Sequence, residues 1–226
     1  MSRKKVVVCM PVQDSVEAQT TQCLIDLLAH RSVIGRAQCE GTLVHKARNH
    51  LLKSAINGFP EATHILFVDD DMVFNNEDLD KLLDSGKDVI SSICVERNVP
   101  FHPCFVPSNR DWTKFRPLLE GKKKGVMKVH SVGMGFTLLK ITAIKKLLKN
   151  EDEPFYFEKG TDYGEDFNFC SLLREQGTSI WIHCESHIGH IAKLPVSLQH
   201  FQFNLMNNPN VKELKDSIFE DKLQKS

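Results

Sequence analysis

Ala62-Thr-His-Ile-Leu-Phe-Val-Asp-Asp-Asp-Met-Val-Phe74 runs a short apolar strand directly into three consecutive carboxylates. The near-continuous hydrophobicity of 64–68 suits a strand buried on both faces of a parallel sheet. Asp69, Asp70 and Asp71 fall where that strand ends. Adjacent carboxylates repel one another, so a compact fold tolerates them in solvent, as a helix cap, or around a bound cation. Asn75 or Asn76 can cap the next helix, so capping does not require three aspartates. Alternate side chains of an extended segment share a face, which sets Asp69 and Asp71 on one side and Asp70 on the other. Such oxygen ligands suit Mg²⁺ or Mn²⁺, which bind through one or two carboxylates plus substrate phosphates. An open α/β sheet places its ligand crevice at the carboxyl ends of its strands. Taken alone, the three aspartates also read as a solvated acidic turn.

Upstream, residues 5–12 read as the first strand. The basic, then apolar N-terminus resembles the start of a signal peptide, but Pro11, Gln13 and Asp14 end the apolar core too early. Val16, Cys23, Leu24, Leu27 and Leu28 recur at nearly helical spacing across 16–30, and 32–40 reads as a second strand that Gly35 weakens. Within 42–58, Ala47, Leu51, Leu52, Ala55 and Ile56 form one helical stripe, closed by Asn57-Gly58 and Pro60. Arg48 and Asn49 lie near the start of that helix, where an arginine suits a nucleotide or phosphate but equally a surface charge.

Downstream, 76–85 reads as a short helix and 88–94 as a buried strand. The alternation β-α-β-α-β-α-β predicts a largely parallel sheet with helices on both faces. Residues 96–132 carry Pro100, Pro103, Pro107 and Pro117 among Phe101, Phe105, Trp112 and Phe115. That stretch is too irregular for βα units and too aromatic for disorder, so loops and short strands covering the crevice are expected, suited to acceptor recognition. Gly121-Lys-Lys-Lys-Gly125 reads as a solvated turn.

Residues 126–140 form two strand-like pieces hinged at Gly133-Met134-Gly135, where glycines would let backbone approach a ligand or accommodate a bulge. Ile141, Ile144, Leu147 and Leu148 mark a short helix. Glu165 and Asp166 open another, running through Phe167 to Gly177. Acidic residues there suit the helix dipole whatever their function. A carboxylate at a cleft edge can also take a proton from a hydroxyl. A strand over 178–184 follows. His183, Cys184, His187 and His190 do not match paired zinc motifs. His190 is instead placed as a third ligand for a cation held by Asp69 and Asp71, with Lys193 set to neutralise a phosphate. Residues 1–194 are expected to form one domain and 195–226 a helical extension packed on it, with Leu214 and Ile218 spaced i,i+4 and suited to homodimer contacts.

Composition narrows the classes. A chain of 226 residues with 41% apolar and 26% charged residues can bury a sizeable core, which excludes a disordered polymer. Twenty-nine basic residues balance 29 acidic ones, so no global field draws it to nucleic acid or membrane. Seven cysteines without a C-x-x-C pair read as reduced thiols of a cytoplasmic protein. No apolar run approaches the roughly 18 residues of a membrane-spanning helix.

The ordered set Ala47-Arg-Asn49, Phe67-Val-Asp-Asp-Asp-Met72, Val132-Gly-Met-Gly-Phe136, Gly164-Glu-Asp166 and Gly189-His190 resembles the GT-A fold glycosyltransferases, especially small viral and bacterial ones similar to family 2. The resemblance spans residues 5–193. It implies an α/β, Rossmann-like domain with a mostly parallel sheet flanked by helices and a small antiparallel portion. It also implies that Pro11, Val12 and Arg48 hold a nucleotide base, while Asp69, with Asp70 beside it, meets the ribose. Asp71 and His190 would bind Mn²⁺ or Mg²⁺, Gly133-Met134-Gly135 would line the sugar pocket, and Glu165 or Asp166 would lie near the acceptor hydroxyl. The implied activity is transfer of a sugar from a nucleoside diphosphate sugar, with UDP the expected carrier, to a carbohydrate-type acceptor. An inverting enzyme would use Asp166 as base, and a retaining one would need none. Arg97, Arg110, Arg116 and the Lys122 to Lys124 loop leave room for an anionic acceptor such as a modified DNA base.

Two rivals remain. A nucleotidyltransferase usually carries a glycine-rich basic loop after the first strand, which Pro11-Val-Gln-Asp-Ser15 is not. An idle sugar- or nucleotide-binding module has little reason to assemble three cation ligands.

Overall fold

Strand β1 (Val6–Val12) is buried along its whole length and is flanked in parallel by β2 (Val33–Glu40) and β3 (His64–Val68). The structure, a computed structural model, describes residues 3–97, 102–108, 111–157 and 164–192. Beyond β3 lies β8 (Phe136–Lys140), antiparallel to it and to the next strand, β5 (Val89–Ile93). Then come β9 (Ile180–His187), parallel to β5, and β7 (Val126–Val132) and β6 (Phe105–Pro107) through antiparallel pairs. The order is β2-β1-β3-β8-β5-β9-β7-β6, with β7 and β8 reversed against the other six. A separate antiparallel pair joins β4 (Met72–Val73) to β10 (Gly189–His190). The expected sheet, mostly of one direction with a small antiparallel portion, is therefore present.

Strand alternation divides the core between the two faces of this sheet. Val7, Cys9, Ile65 and Phe67 pack with Leu51 and Leu52 of α2 (Val44–Gly58), Ile144 of α5 (Ile141–Leu147) and Phe169 and Leu173 of α6 (Glu165–Glu175). Val6, Val8, Met10, Leu66 and Val68 pack with Leu24 and Leu27 of α1 (Ala18–Leu28) and Leu79 and Leu82 of α3 (Asn76–Asp84). Each such side chain contributes about 1.5–3 kcal/mol when fully buried. Leu28, expected on the buried stripe of α1, is 37% exposed, and α1 presents Leu24 and Leu27 to the core instead. Gly35 weakens β2 by propensity, yet a Cβ there would lie 2.1 Å from the Phe59 ring, so its absence admits that ring.

Local chemistry fixes where α3 begins. The Asn75 side chain accepts from the Asp78 amide at 3.2 Å, and Asp78 accepts the Asn75 amide at 3.1 Å, a reciprocal capping box. Buried Asp78 also accepts from Ser186 Oγ at 2.9 Å, and Ser186 Oγ meets Ser92 Oγ at 2.7 Å. The cap thereby ties α3 to β9 and to the Ser92 end of β5.

The stretch after β5 is irregular, as expected, with β6, a 3-10 turn (Trp112–Phe115) and α4 (Arg116–Leu119) before β7. The reversed β8 begins at the sheet end where β3 finishes, so Gly135 accepts the Asp69 amide at 3.1 Å. Residues up to Ile191 form one compact unit. Lys193, Arg110 and the expected extension over 195–226 lie outside the described residues. Among the described residues no helix is long and apolar enough to cross a membrane.

Candidate functional site

A cleft of about 430 Å³ opens where β1 and β3 end, within the size range of small-molecule sites. Pro11 and Val12 at the end of β1, Gln13 after it, and Asp69 to Asp71 following β3 line one side of it. The start of α2 contributes Thr42, Leu43, Val44, Ala47 and Arg48, and Phe157, Arg97 and His190 complete the lining. Leu43 and Phe157 are 62% and 54% exposed, large apolar groups turned to solvent in one place. Among the described residues no side chain caps α2, which leaves its first amides to water or to an anionic ligand. A second cleft of about 500 Å³ lies at the opposite end of β5 and β9, lined by Lys87, Thr142 and Trp181, with Asp88 as its one acidic group.

Buried Arg48 joins three chain segments. Its Nη2 meets Asp69 Oδ1 at 2.8 Å and Oδ2 at 3.1 Å, and its Nη1 donates to Glu165 Oε1 at the start of α6. Burial works against its charge, but Asp69, Glu165 and Asp166 more than offset this and raise its pKa. Glu165 is thus engaged by Arg48, which leaves Asp166 as the less committed of the two candidate bases. Asn49 serves the fold, since its side chain donates to Phe155 O at 2.7 Å and accepts Phe155 N–H at 2.9 Å. That clamp seats Phe155 against Phe169, stacked with centroids 4.1 Å apart, and edge-on to Phe67.

The three aspartates divide their roles. Asp69 faces Arg48, and Asp70 accepts the Gln13 amide at 3.0 Å. Burial, opposed by that hydrogen bond and aided by its two acidic neighbours, raises the pKa of Asp70. Asp71 Oδ2 lies 3.2 Å from His190 Nε2 and 2.8 Å from Arg97 Nη1. Desolvation pushes Asp71 upward, but His190 and Arg97 outweigh it and lower its pKa. His190 is brought there by the β4–β10 pair, in which it stands opposite Met72, and its Nδ1 meets Val95 O at 2.9 Å. Both ring nitrogens therefore face oxygen acceptors. Burial opposes the charged ring, but hydrogen bonds to Asp71, Cys104 and Val95 push its pKa up to about 10.

Asp71 and His190 bring a carboxylate oxygen and an imidazole nitrogen within 3.2 Å of each other, donor types that divalent ions accept. Among the described residues no set of three or more His, Cys, Asp or Glu is arranged to hold a metal. Asp69, expected beside Asp71 on one face, engages Arg48 instead.

The Gly133-Met134-Gly135 turn threads between the two acidic motifs. A Cβ at Gly133 would stand 3.5 Å from Asp166 Oδ2, and one at Gly135 would stand 3.7 Å from Asp69 Oδ2 and 2.5 Å from Met72 Cε. The Met134 side chain, 1% exposed, belongs to the core and does not line the cleft. Burial pushes Asp166 up to about 7, with Arg48 opposing and Glu165 and Asp69 adding to the rise.

No family model matches the chain, and no curated protein is similar to it. Among solved structures, the crystal structure of A197 from STIV is similar, with a TM-score of 0.54 and 15% identity, covering 85% of this chain and 96% of that one. A likeness at that identity carries the fold alone.

Sequence reading assembled Pro11, Val12, Arg48, Asp69, Asp70, Asp71 and His190 into what proves to be one cleft. It missed the apolar wall of Leu43, Val44 and Phe157 and the Gln13 amide. One clue was present: a helix opening on Thr42-Leu43-Val44 puts no good N-cap residue at Leu43, and exposes apolar side chains where polar ones are the rule.

Proposed function

We propose that the protein is a metal-dependent glycosyltransferase of the GT-A kind, moving a sugar from a nucleoside diphosphate sugar, with UDP as carrier, to an acceptor hydroxyl. The observation that carries this reading is the meeting, in one cleft at the strand ends, of an apolar wall, the carboxylates of Asp69 and Asp70, and the Asp71–His190 edge. Val12, Leu43, Val44 and Phe157 offer flat apolar contact to a base, and Asp69 and Asp70 offer acceptors to ribose hydroxyls. Asp71 and His190 would hold Mn²⁺ or Mg²⁺. When bound, that ion supplies Lewis-acid neutralisation of the leaving diphosphate.

The chain's own residues do the rest. With Nδ1 held against Val95 O, the His190 ring presents Nε2 beside Asp71, the nitrogen that would hold the ion. Arg48 fixes both Asp69 and Glu165 through its two ion pairs. Asp166, near neutral in affinity for its proton, takes the acceptor proton in an inverting reaction. A carbohydrate hydroxyl is the acceptor this reading favours.

Calorimetric titration of UDP, with GDP and ADP as controls, with and without Mn²⁺, tests it on wild type and Asp71→Ala. UDP binding that needs Mn²⁺ and disappears in the variant is expected. A folded protein that binds no nucleotide under either condition would sink the transferase reading.

A further inference from the structure

We infer that Arg97 is an exchangeable counter-ion: it holds the cation's place at Asp71 and passes to the donor's diphosphate when the cation arrives. This rests on the proposed function for the identity of the anion. Asp71 Oδ2 is ion-paired with Arg97 Nη1 at 2.8 Å and lies 3.2 Å from His190 Nε2. The guanidinium stands where a cation on that oxygen would stand, and two positive charges repel at such a distance, so a cation that binds through Oδ2 must displace one of the two groups.

The two groups are not equally free to leave. His190 is fixed by the β4–β10 pairing, by Val95 O and by its contact with the Cys104 thiol. The Arg97 side chain is 57% exposed and reaches Asp71 from the loop after β5. Exposed ion pairs hold weakly, about two- to fivefold in an equilibrium constant. Arg97 is therefore the group that yields.

Its destination follows from its place and its chemistry. Arg97 lines the same cleft as Asp70, Asp71 and His190, so a diphosphate bridging to a cation at Asp71 comes within its reach. A diphosphate carries more negative charge than one divalent ion offsets, and the planar guanidinium matches phosphate oxygens in pairs. Arg97 thus opposes the cation alone and favours cation and diphosphate together, which orders binding in favour of the metal–nucleotide complex.

The two halves have opposite signs, so one variant reads both. Arg97→Gln is titrated with Mn²⁺ alone, then with UDP at saturating Mn²⁺, beside wild type. Mn²⁺ alone is expected to bind the variant about two- to fivefold more tightly. UDP with Mn²⁺ is expected to bind it about tenfold more weakly, the loss of a charge-assisted contact. Mn²⁺ affinity that is unchanged or weaker overturns the place-holding role, and unchanged UDP affinity overturns the transfer to diphosphate. Wild type that takes Mn²⁺ but none of UDP, GDP or ADP sinks the proposed function. In that case the Mn²⁺ arm still upholds or overturns the competition at Asp71.

Discussion

Replacing Arg48 by methionine is expected to destabilise the protein by a large and pH-dependent amount. The substitution keeps the volume of the stem but removes the charge that holds Asp69 and Glu165 together. Glu165 is buried, and the Asp69 side chain is 26% exposed. Breaking a buried pair by deleting one partner costs about 3–5 kcal/mol, because the abandoned charge stays behind. Asp69 retains some water, which places this case at the lower end, about 3 kcal/mol. For a domain of this size that corresponds to a fall in melting temperature of roughly 6–12 °C. The assay is urea unfolding of wild type and Arg48→Met at about pH 7.5 and about pH 4.5, the second near the ordinary carboxylate range. Protonation of the stranded carboxylates relieves the penalty, so the gap between the proteins narrows at the lower pH. Adding Glu165→Gln to Arg48→Met removes one stranded charge and is expected to recover part of the loss at the higher pH. A difference below about 1 kcal/mol, or one that ignores pH, would refute Arg48 as the electrostatic tie between α2, β3 and α6.

Three further outcomes are expected, the first two under the proposed function. Asp166→Asn is expected to lower the rate of sugar transfer by about a hundredfold or more while UDP affinity stays unchanged, since a general base acts on the rate. Because burial raises the Asp166 carboxyl to about 7, its basic form appears only as pH rises through that value. Wild-type transfer should therefore decline below neutral pH, and a rate flat across that range in an inverting reaction would assign the base elsewhere. Asn49→Ala is expected to cost about 2–3 kcal/mol in urea unfolding, since it strands the buried N–H and C=O of Phe155; a cost below about 0.5 kcal/mol would show that the clamp is not needed.

How much of this was legible depended on the range of the interactions. The first strand, His64–Val68 and the α2 stripe announce themselves because burial by adjacent elements leaves a local apolar pattern. The direction of β8 does not. Phe136 to Leu139 are buried on both faces, and that pattern is the same whichever way a strand runs. The chain around Gly133-Met134-Gly135 therefore gives no warning that β7 and β8 part company, one beside β9 and the other between β3 and β5. At the site, the acidic strand end stood out because three like charges demand an explanation. Arg48 was ambiguous, because its partners Asp69 and Glu165 lie 21 and 117 residues away. Asn49 looked like part of a nucleotide motif, and its actual partner, Phe155, is 106 residues distant.

The β4–β10 pair has a bearing on when the site exists at all. His190 reaches Asp71 across 119 residues of sequence, through strands only two residues long. Everything that shapes the apolar wall and the acidic strand end is made earlier in the chain, and the great sheet can stand on contacts that do not involve this pair. Under the proposed function, the last cation ligand is thus a latch expected to close after the frame is built and to open before the frame gives way. On that reading a ribosome-bound chain that has not yet released residue 190 would lack its ion edge and stay silent until synthesis has passed that point. Gentle heating is expected to reverse the order, with cation binding lost while the sheet around it is still intact.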